Sequence, residues 1–107
     1  MLLVITDRTK NCSDVVEFEI KQSAEREIPI ILAYTDENVI QDIKEKHRSK
    51  LPKILKEKIK NNEVKTLYIP FKLEAIKKAI EDFSIHNKKL ENDEYVYKKI
   101  DSWGSSI

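Results

Sequence analysis

Apolar and polar residues alternate along this chain in a way that predicts strands and helices in turn. Residues 2–6 form an almost unbroken apolar run, the pattern of a strand covered on both faces. Residues 28–34 form a second such run, in which Pro29 is tolerated near the start, and residues 64–69 form a third. Apolar residues at helical spacing separate these runs. We therefore expect an α/β fold, an open parallel sheet of three strands with crossover helices.

Helix boundaries follow from capping residues and from apolar spacing. Ser13 is the expected N-cap of a helix that runs to about Glu27, with Asp14 favouring its positive end. Thr35 or Asp36 is expected to cap a helix through residues 39–43. Three further helices are expected: one that begins at Pro52 and ends at residues 61–62, one over residues 73–83, and a short one from Asn92 that carries Tyr95, Val96, Ile100 and Trp103.

These elements suggest a domain over residues 1–86 and a C-terminal helical extension with a tail over residues 87–107. The first strand begins at the start of the sequence, where no upstream element is present to pair with its edge. A bare apolar edge favours pairing with another chain. We expect either a longer fold with an N-terminal portion missing from this sequence, or homo-oligomers formed through the sheet edge.

Composition restricts the classes of function. Among the 107 residues, Lys and Arg number 20 and Asp and Glu number 19, so net charge favours no particular partner. The single cysteine, Cys12, excludes an intramolecular disulfide and fits a reducing, cytoplasmic location. No apolar run is long enough to span a membrane. Gly104 is the only glycine, which excludes a P-loop and a glycine-rich dinucleotide fingerprint.

Glu19 is the first candidate for chemistry. On a helix of about 100° per residue, Val15, Val16, Ile20 and Ala24 spread over roughly half the circumference, and Glu19 falls within that arc. A carboxylate on a buried stripe is costly unless it is paired, hydrogen-bonded or at the wall of a cleft. The helix follows the first strand, and ligands of open α/β sheets bind beyond the carboxyl ends of the strands.

The segment from Val4 to Ile20 resembles TIR and TIR-like domains. In that family, an apolar strand ending in Ser or Thr is followed by a polar loop and by a helix that opens with Trp-Val-x-x-Glu-Ile. Residues 15–20, Val-Val-Glu-Phe-Glu-Ile, match this pattern with valine at the tryptophan position, and Ala24 and Ile28-Pro29-Ile30-Ile31 follow at the family's distances. The resemblance covers residues 1–35 and is topological from there to about residue 86. The family's full domain has a further strand, helix, strand and helix upstream.

The resemblance implies an activity. TIR-like domains of this kind cleave the nicotinamide–ribose bond of NAD, some cyclise the product, and in bacteria they often act in defence against phage. Glu19 corresponds to the family's catalytic glutamate, and a fixed carboxylate can stabilise an oxocarbenium-like ribose. Asp7, Thr9 and Ser13 correspond to the polar loop that borders the substrate pocket. NAD would be a substrate, and no cofactor is implied.

Other interpretations stay open. The chain can be a catalytically silent TIR-like or flavodoxin-like interaction module in which Glu19 is an ion-pair partner. Residues 44–60 hold eight Lys and Arg, which suggests a nucleic-acid surface, but no aromatic residues interleave with them, which favours a solvated helix face. His47 and His86 have no cysteine or acid at a ligand spacing, so we expect no metal site.

Overall fold

The computed structural model describes residues 1–11, 13–40, 42–82 and 94–96, and it has the expected α/β architecture. Strands and helices alternate along the chain: β1 (Leu2–Ile5), α1 (Asp14–Glu25), β2 (Ile30–Tyr34), α2 (Glu45–Arg48), α3 (Lys53–Lys60), β3 (Thr66–Pro70), α4 (Leu73–Asp82) and β4 (Glu94–Val96). All neighbouring strands are parallel, in the order β1-β2-β3-β4. Successive strands lie side by side, and the helices between β1, β2 and β3 provide the crossover connections that parallel neighbours need.

Apolar side chains form a core on each face of the sheet. On one face, α1 and α3 place Ile20 and Leu55 against alternate residues of the strands, among them Leu3, Ile5, Ile30, Leu32, Tyr34 and Tyr68. On the other face, α4 places Ala75 and Ala79 against Ile31, Ala33, Leu67 and Ile69. The strands β2 and β3 are consequently buried along their whole length.

The first strand differs from this pattern. Leu3 and Ile5 are buried beneath α1, whereas Leu2 and Val4 point to the other face and are 43% and 39% exposed. The expectation that β1 is covered on both faces is therefore wrong for the described residues. The physical reason is that α4 packs on β3, two strands away from β1.

Two helices end in the same left-handed turn. After α1, Ile28 N–H donates to the Ser23 carbonyl at 2.8 Å and Glu27 N–H donates to the Ala24 carbonyl at 3.2 Å. This is the Schellman arrangement, and it requires a positive φ, which is 56° at Glu27. Asn62, with φ 57°, ends α3 in the same way. Both expected helix ends are confirmed.

Two expected helices are absent from the described residues. Residues 35–40 and 42–44 form no helix, because the carboxylates of Asp36 and Glu37 are held by α2 and the turn after it, as described below. Residues 94–96, expected in a short helix, form the edge strand β4. The rest of the expected C-terminal extension lies outside the described residues.

Candidate functional site at the carboxyl ends of the strands

The loop after β1 holds two of the residues that the sequence proposes for substrate binding. Thr9 Oγ1 accepts from Thr6 N–H at 2.7 Å and donates to the Val4 carbonyl at 3.2 Å, so this hydroxyl ties the loop to the strand end. The Asp7 side chain is 92% exposed. Of the two side chains, that of Asp7 is the one open to solvent, although its Oδ1 also contacts Lys50, as described below.

Ser13 and Glu19 lie on the following helix. Ser13 is the N-cap of α1, as expected, and its hydroxyl accepts from Val16 N–H at 3.4 Å. Glu19 is exposed, so the expectation that it lies on the buried stripe is wrong. The buried stripe is narrower than half the helix and centres on Ile20 and Ser23, which leaves Val15 outside it. In the described part of the chain, Glu19 makes no hydrogen bond or ion pair with Asp7, Thr9 or Ser13.

A lysine links the loops that follow β1 and β2. Lys50 Nζ contacts Asp36 Oδ2 closely and lies 3.4 Å from Asp7 Oδ1. The hydrogen bond to Lys50 lowers the pKa of Asp36, and the same bond raises the pKa of Lys50. The carboxyl ends of the first two strands are thus joined by one cation between two carboxylates.

A buried histidine forms the second feature of this edge. His47 is 3% exposed, and its Nε2 lies 3.0 Å from Glu37 Oε1. Its Nδ1 accepts a hydrogen bond from Lys44 N–H at 2.9 Å. The neutral ring therefore carries its proton on Nε2, and this N–H donates a hydrogen bond to Glu37. Lys46 Nζ lies 2.9 Å from the same carboxylate oxygen. Tyr34, at the end of β2, donates to the His47 carbonyl at 2.7 Å.

Burial and hydrogen bonding set the protonation of these groups. Burial lowers the pKa of His47, although Glu37 partly opposes this effect. Burial by itself would raise the pKa of Glu37, but hydrogen bonds from Lys46 and His47 outweigh it and keep the pKa low. Burial also raises the pKa of Tyr34. At neutral pH the cluster therefore contains a neutral imidazole, an ionised carboxylate and a neutral phenol.

This cluster borders a cavity of about 230 Å³, lined by Glu37, Val39, Ile40, Asp42, Lys44, Lys46 and His47. Both ring nitrogens of His47 are already engaged, so the imidazole has no free lone pair with which to accept a substrate proton or bind a metal. A second cavity of about 380 Å³ lies between α2 and α3, where Arg48, Lys56 and Lys60 surround the apolar Leu51 and Ile59. Glu19 lines neither cavity.

The structure thus assembles a polar cluster that the sequence did not single out. Asp36 and Glu37 come directly after a buried strand, the position where ligand-facing side chains collect in α/β sheets, and this was the available signal. His47 lies ten residues further along, where no sequence spacing connects it to Glu37. Across the described ranges, no group of three or more His, Cys, Asp or Glu side chains is arranged to hold a metal ion.

No helix in the described part of the chain is both long and apolar enough to cross a membrane. Comparison with protein-family models, with curated proteins and with solved structures finds no match to this chain.

Proposed function

We propose that this chain is a self-associating protein-interaction module with a TIR-like α/β sheet. The observation that supports it is the exposure of large apolar side chains on the two elements at the β1 side of the sheet. Val15 and Phe18 on α1 are 66% and 61% exposed, and Leu2 and Val4 on β1 are also exposed. Single exposed apolar residues are ordinary. Here the α1 pair lies on one face of the sheet and the β1 pair on the other, so apolar side chains flank the β1 edge on both faces, which favours pairing of this edge with another chain.

The polar groups of the strand ends agree with this proposal. Lys50 joins Asp7 to Asp36, and Glu37, Lys46 and His47 bind one another. These contacts hold the loops in place and leave His47 without a free ring nitrogen. A network whose members satisfy one another stabilises a scaffold rather than providing an acid or base for a substrate.

Sedimentation velocity at protein concentrations from about 1 to about 500 micromolar tests self-association. We expect a concentration-dependent dimer, weakened at least tenfold by Val15→Lys. Leu73→Lys is the matched control, because Leu73 is equally exposed but lies on α4. A monomer at every concentration, or equal weakening by both variants, would contradict the proposal.

A second candidate is TIR-like processing of NAD by Glu19. One observation favours it: the Glu19 carboxylate is exposed on the helix that directly follows β1, where a ligand or a neighbouring subunit can reach it. In the resemblance, this carboxylate acts on the nicotinamide ribose.

Nicotinamide release from NAD, followed over a range of protein concentrations, tests the enzymatic candidate. We expect Glu19→Gln to abolish release if the candidate is correct, since the amide cannot stabilise a cationic ribose. Glu25→Gln is the control, because Glu25 is also an exposed glutamate of α1. Unchanged release in Glu19→Gln would remove Glu19 from the reaction.

A further inference from the structure

We propose that two copies of this chain pair through antiparallel β1 strands, with Leu3 on the two-fold axis. This inference rests on the proposed self-association and specifies its geometry. It predicts one continuous sheet across the dimer, with a defined register and a defined pair of facing helices.

The backbone of β1 presents the necessary groups. The Met1 carbonyl accepts from Ile31 N–H at 2.7 Å, and the Ile5 carbonyl accepts from Thr35 N–H at 3.1 Å. Because alternate residues of a parallel strand bond to the same neighbour, the N–H and C=O groups of Leu2 and Val4 point to the opposite edge. Among the described elements, β1 pairs only with β2. The Val4 carbonyl accepts from Thr9 Oγ1 and retains a second lone pair.

These groups are self-complementary about a two-fold axis. When Leu3 lies opposite Leu3 of the second copy, Leu2 lies opposite Val4, and each such pair exchanges two backbone hydrogen bonds. Four backbone bonds result. The exposed Leu2 and Val4 side chains of both copies then form one apolar cluster on the face opposite α1.

The helices support the same arrangement. Parallel β–α–β connections are right-handed in nearly all proteins, and a right-handed β1–α1–β2 connection turns Val15, Glu19 and Arg26 towards the free edge. Across the two-fold axis, α1 of each copy lies about two strand spacings from the other, or roughly 10 Å, which is the usual distance between packed helices. The two helices are antiparallel, so their dipoles oppose each other favourably.

Charge along α1 is complementary to this antiparallel packing. The two charged residues that this connection turns towards the edge are of opposite sign, Glu19 near the middle of α1 and Arg26 at its C-cap, whereas Lys21 and Glu25 lie on other sides of the helix. Antiparallel packing therefore directs Arg26 of each copy towards Glu19 of the other. A second copy of the chain thus supplies both the backbone and the charges that this edge lacks.

The area that the dimer interface would bury indicates how tightly the two copies bind. A four-residue ladder with one helix pair buries on the order of 1,000 Å² in total, the lower limit for a specific interface. We accordingly expect a dimer that dissociates in the micromolar range rather than an obligate one. The occupant is a second copy, and a strand from another protein is a competing outcome of the test.

Disulfide trapping tests the register. In a Cys12→Ser background, Leu2→Cys and Val4→Cys are prepared separately, because paired Cα atoms about 5.5 Å apart are within disulfide range. Mixing the two variants under oxidising conditions is expected to give at least tenfold more cross-linked dimer than either alone. Thermal unfolding of each reduced variant checks that it folds.

Three results would overturn the register. If Leu2→Cys alone cross-links as well as the mixture, the two-fold axis lies elsewhere. If the mixture does not cross-link while the unmodified chain sediments as a dimer, the interface is another surface, and the proposed function stands without this geometry. If the unmodified chain is a monomer at all concentrations, both proposals fall.

A second measurement does not depend on cysteine chemistry. Val4→Lys places a charge on the edge without affecting the bonds to β2, and it is expected to raise the dimer dissociation constant at least tenfold. Arg26→Glu is expected to act in the same direction through α1, and Leu73→Lys on α4 is the control. A dimer unaffected by Val4→Lys would contradict edge pairing.

Discussion

At the scale of single residues, Glu27 has a backbone conformation that its side chain does not favour. It occupies the left-handed position after α1 with φ 56°, where a β-carbon crowds the following carbonyl. Asn62 holds the same position after α3, but asparagine tolerates this region better. The chain has no glycine at either helix end, so it retains this strain at two turns.

We expect Glu27→Gly to stabilise the fold by about 1 kcal/mol, since glycine removes the steric cost of the positive φ. The free energy of unfolding from urea titration measures the change. Glu27→Ala, which keeps the β-carbon, should give no such gain. Asn62→Gly should give a smaller gain than Glu27→Gly, and a destabilised Glu27→Gly would contradict the interpretation.

At the scale of elements, α2 shows how four residues can be held as a helix. Tyr34 bonds to the His47 carbonyl, and Glu37 binds both His47 and Lys46. A helix of this length is not stable by itself, so these tertiary contacts hold it. The protonation of His47 and Glu37 therefore affects the stability of the element.

We expect stability to fall as the pH drops below about 6.5. The pKa of His47 is lowered by burial from its ordinary 6.5, so the unfolded chain binds a proton at a pH where the folded chain does not. The lowered pKa of Glu37 adds a further loss below its ordinary 4.5. Urea titrations from pH 7.5 downwards measure this. His47→Gln, which can bond to both partners, should flatten the loss near pH 6; an identical pH profile would show that His47 is not responsible.

Several elements of the fold show which structures can be predicted from sequence patterns and which cannot. The caps of α1 and α3 and the order of the first three strands were predictable, because they depend on local spacing and turn chemistry. Residues 35–44 were not, because a pattern of apolar spacing competes there with carboxylates that bind distant cations. The exposure of Glu19 could not be predicted for a related reason: helical spacing alone does not reveal that, among the described strands, β1 lies at the side of the sheet, where Val15 is exposed.

At the scale of the whole molecule, the β4 side and the β1 side of the described sheet differ in how well they are covered. The two central strands are buried on both faces, and β4 pairs with β3 at one side. At the other side, β1 pairs with β2 alone among the described strands, and its Leu2 and Val4 are exposed. A molecule of this shape gains stability when that edge is paired.

We therefore expect thermal stability to rise with protein concentration. Above the dimer dissociation constant, each tenfold increase adds about 0.7 kcal/mol per chain, or roughly 3 to 5 °C in Tm, because only the folded chain dimerises. Differential scanning calorimetry at several concentrations measures this. In Val4→Lys the same rise in Tm should begin only at concentrations at least tenfold higher, and a concentration-independent Tm in the unmodified chain would argue against the dimer.

The central strand β2 has a consequence for the unfolded chain. Residues 28–35 contain no charged side chain, and the strand within them has every residue buried when folded. Once exposed, such a segment can template intermolecular cross-β structure. Pro29 interrupts it at one end, and charged pairs at residues 26–27 and 36–37 flank it as gatekeepers. The uncharged residues of β2, which lie at the centre of the folded sheet, are thus also those most able to aggregate once the chain unfolds. Such aggregation would make thermal unfolding irreversible at high protein concentration.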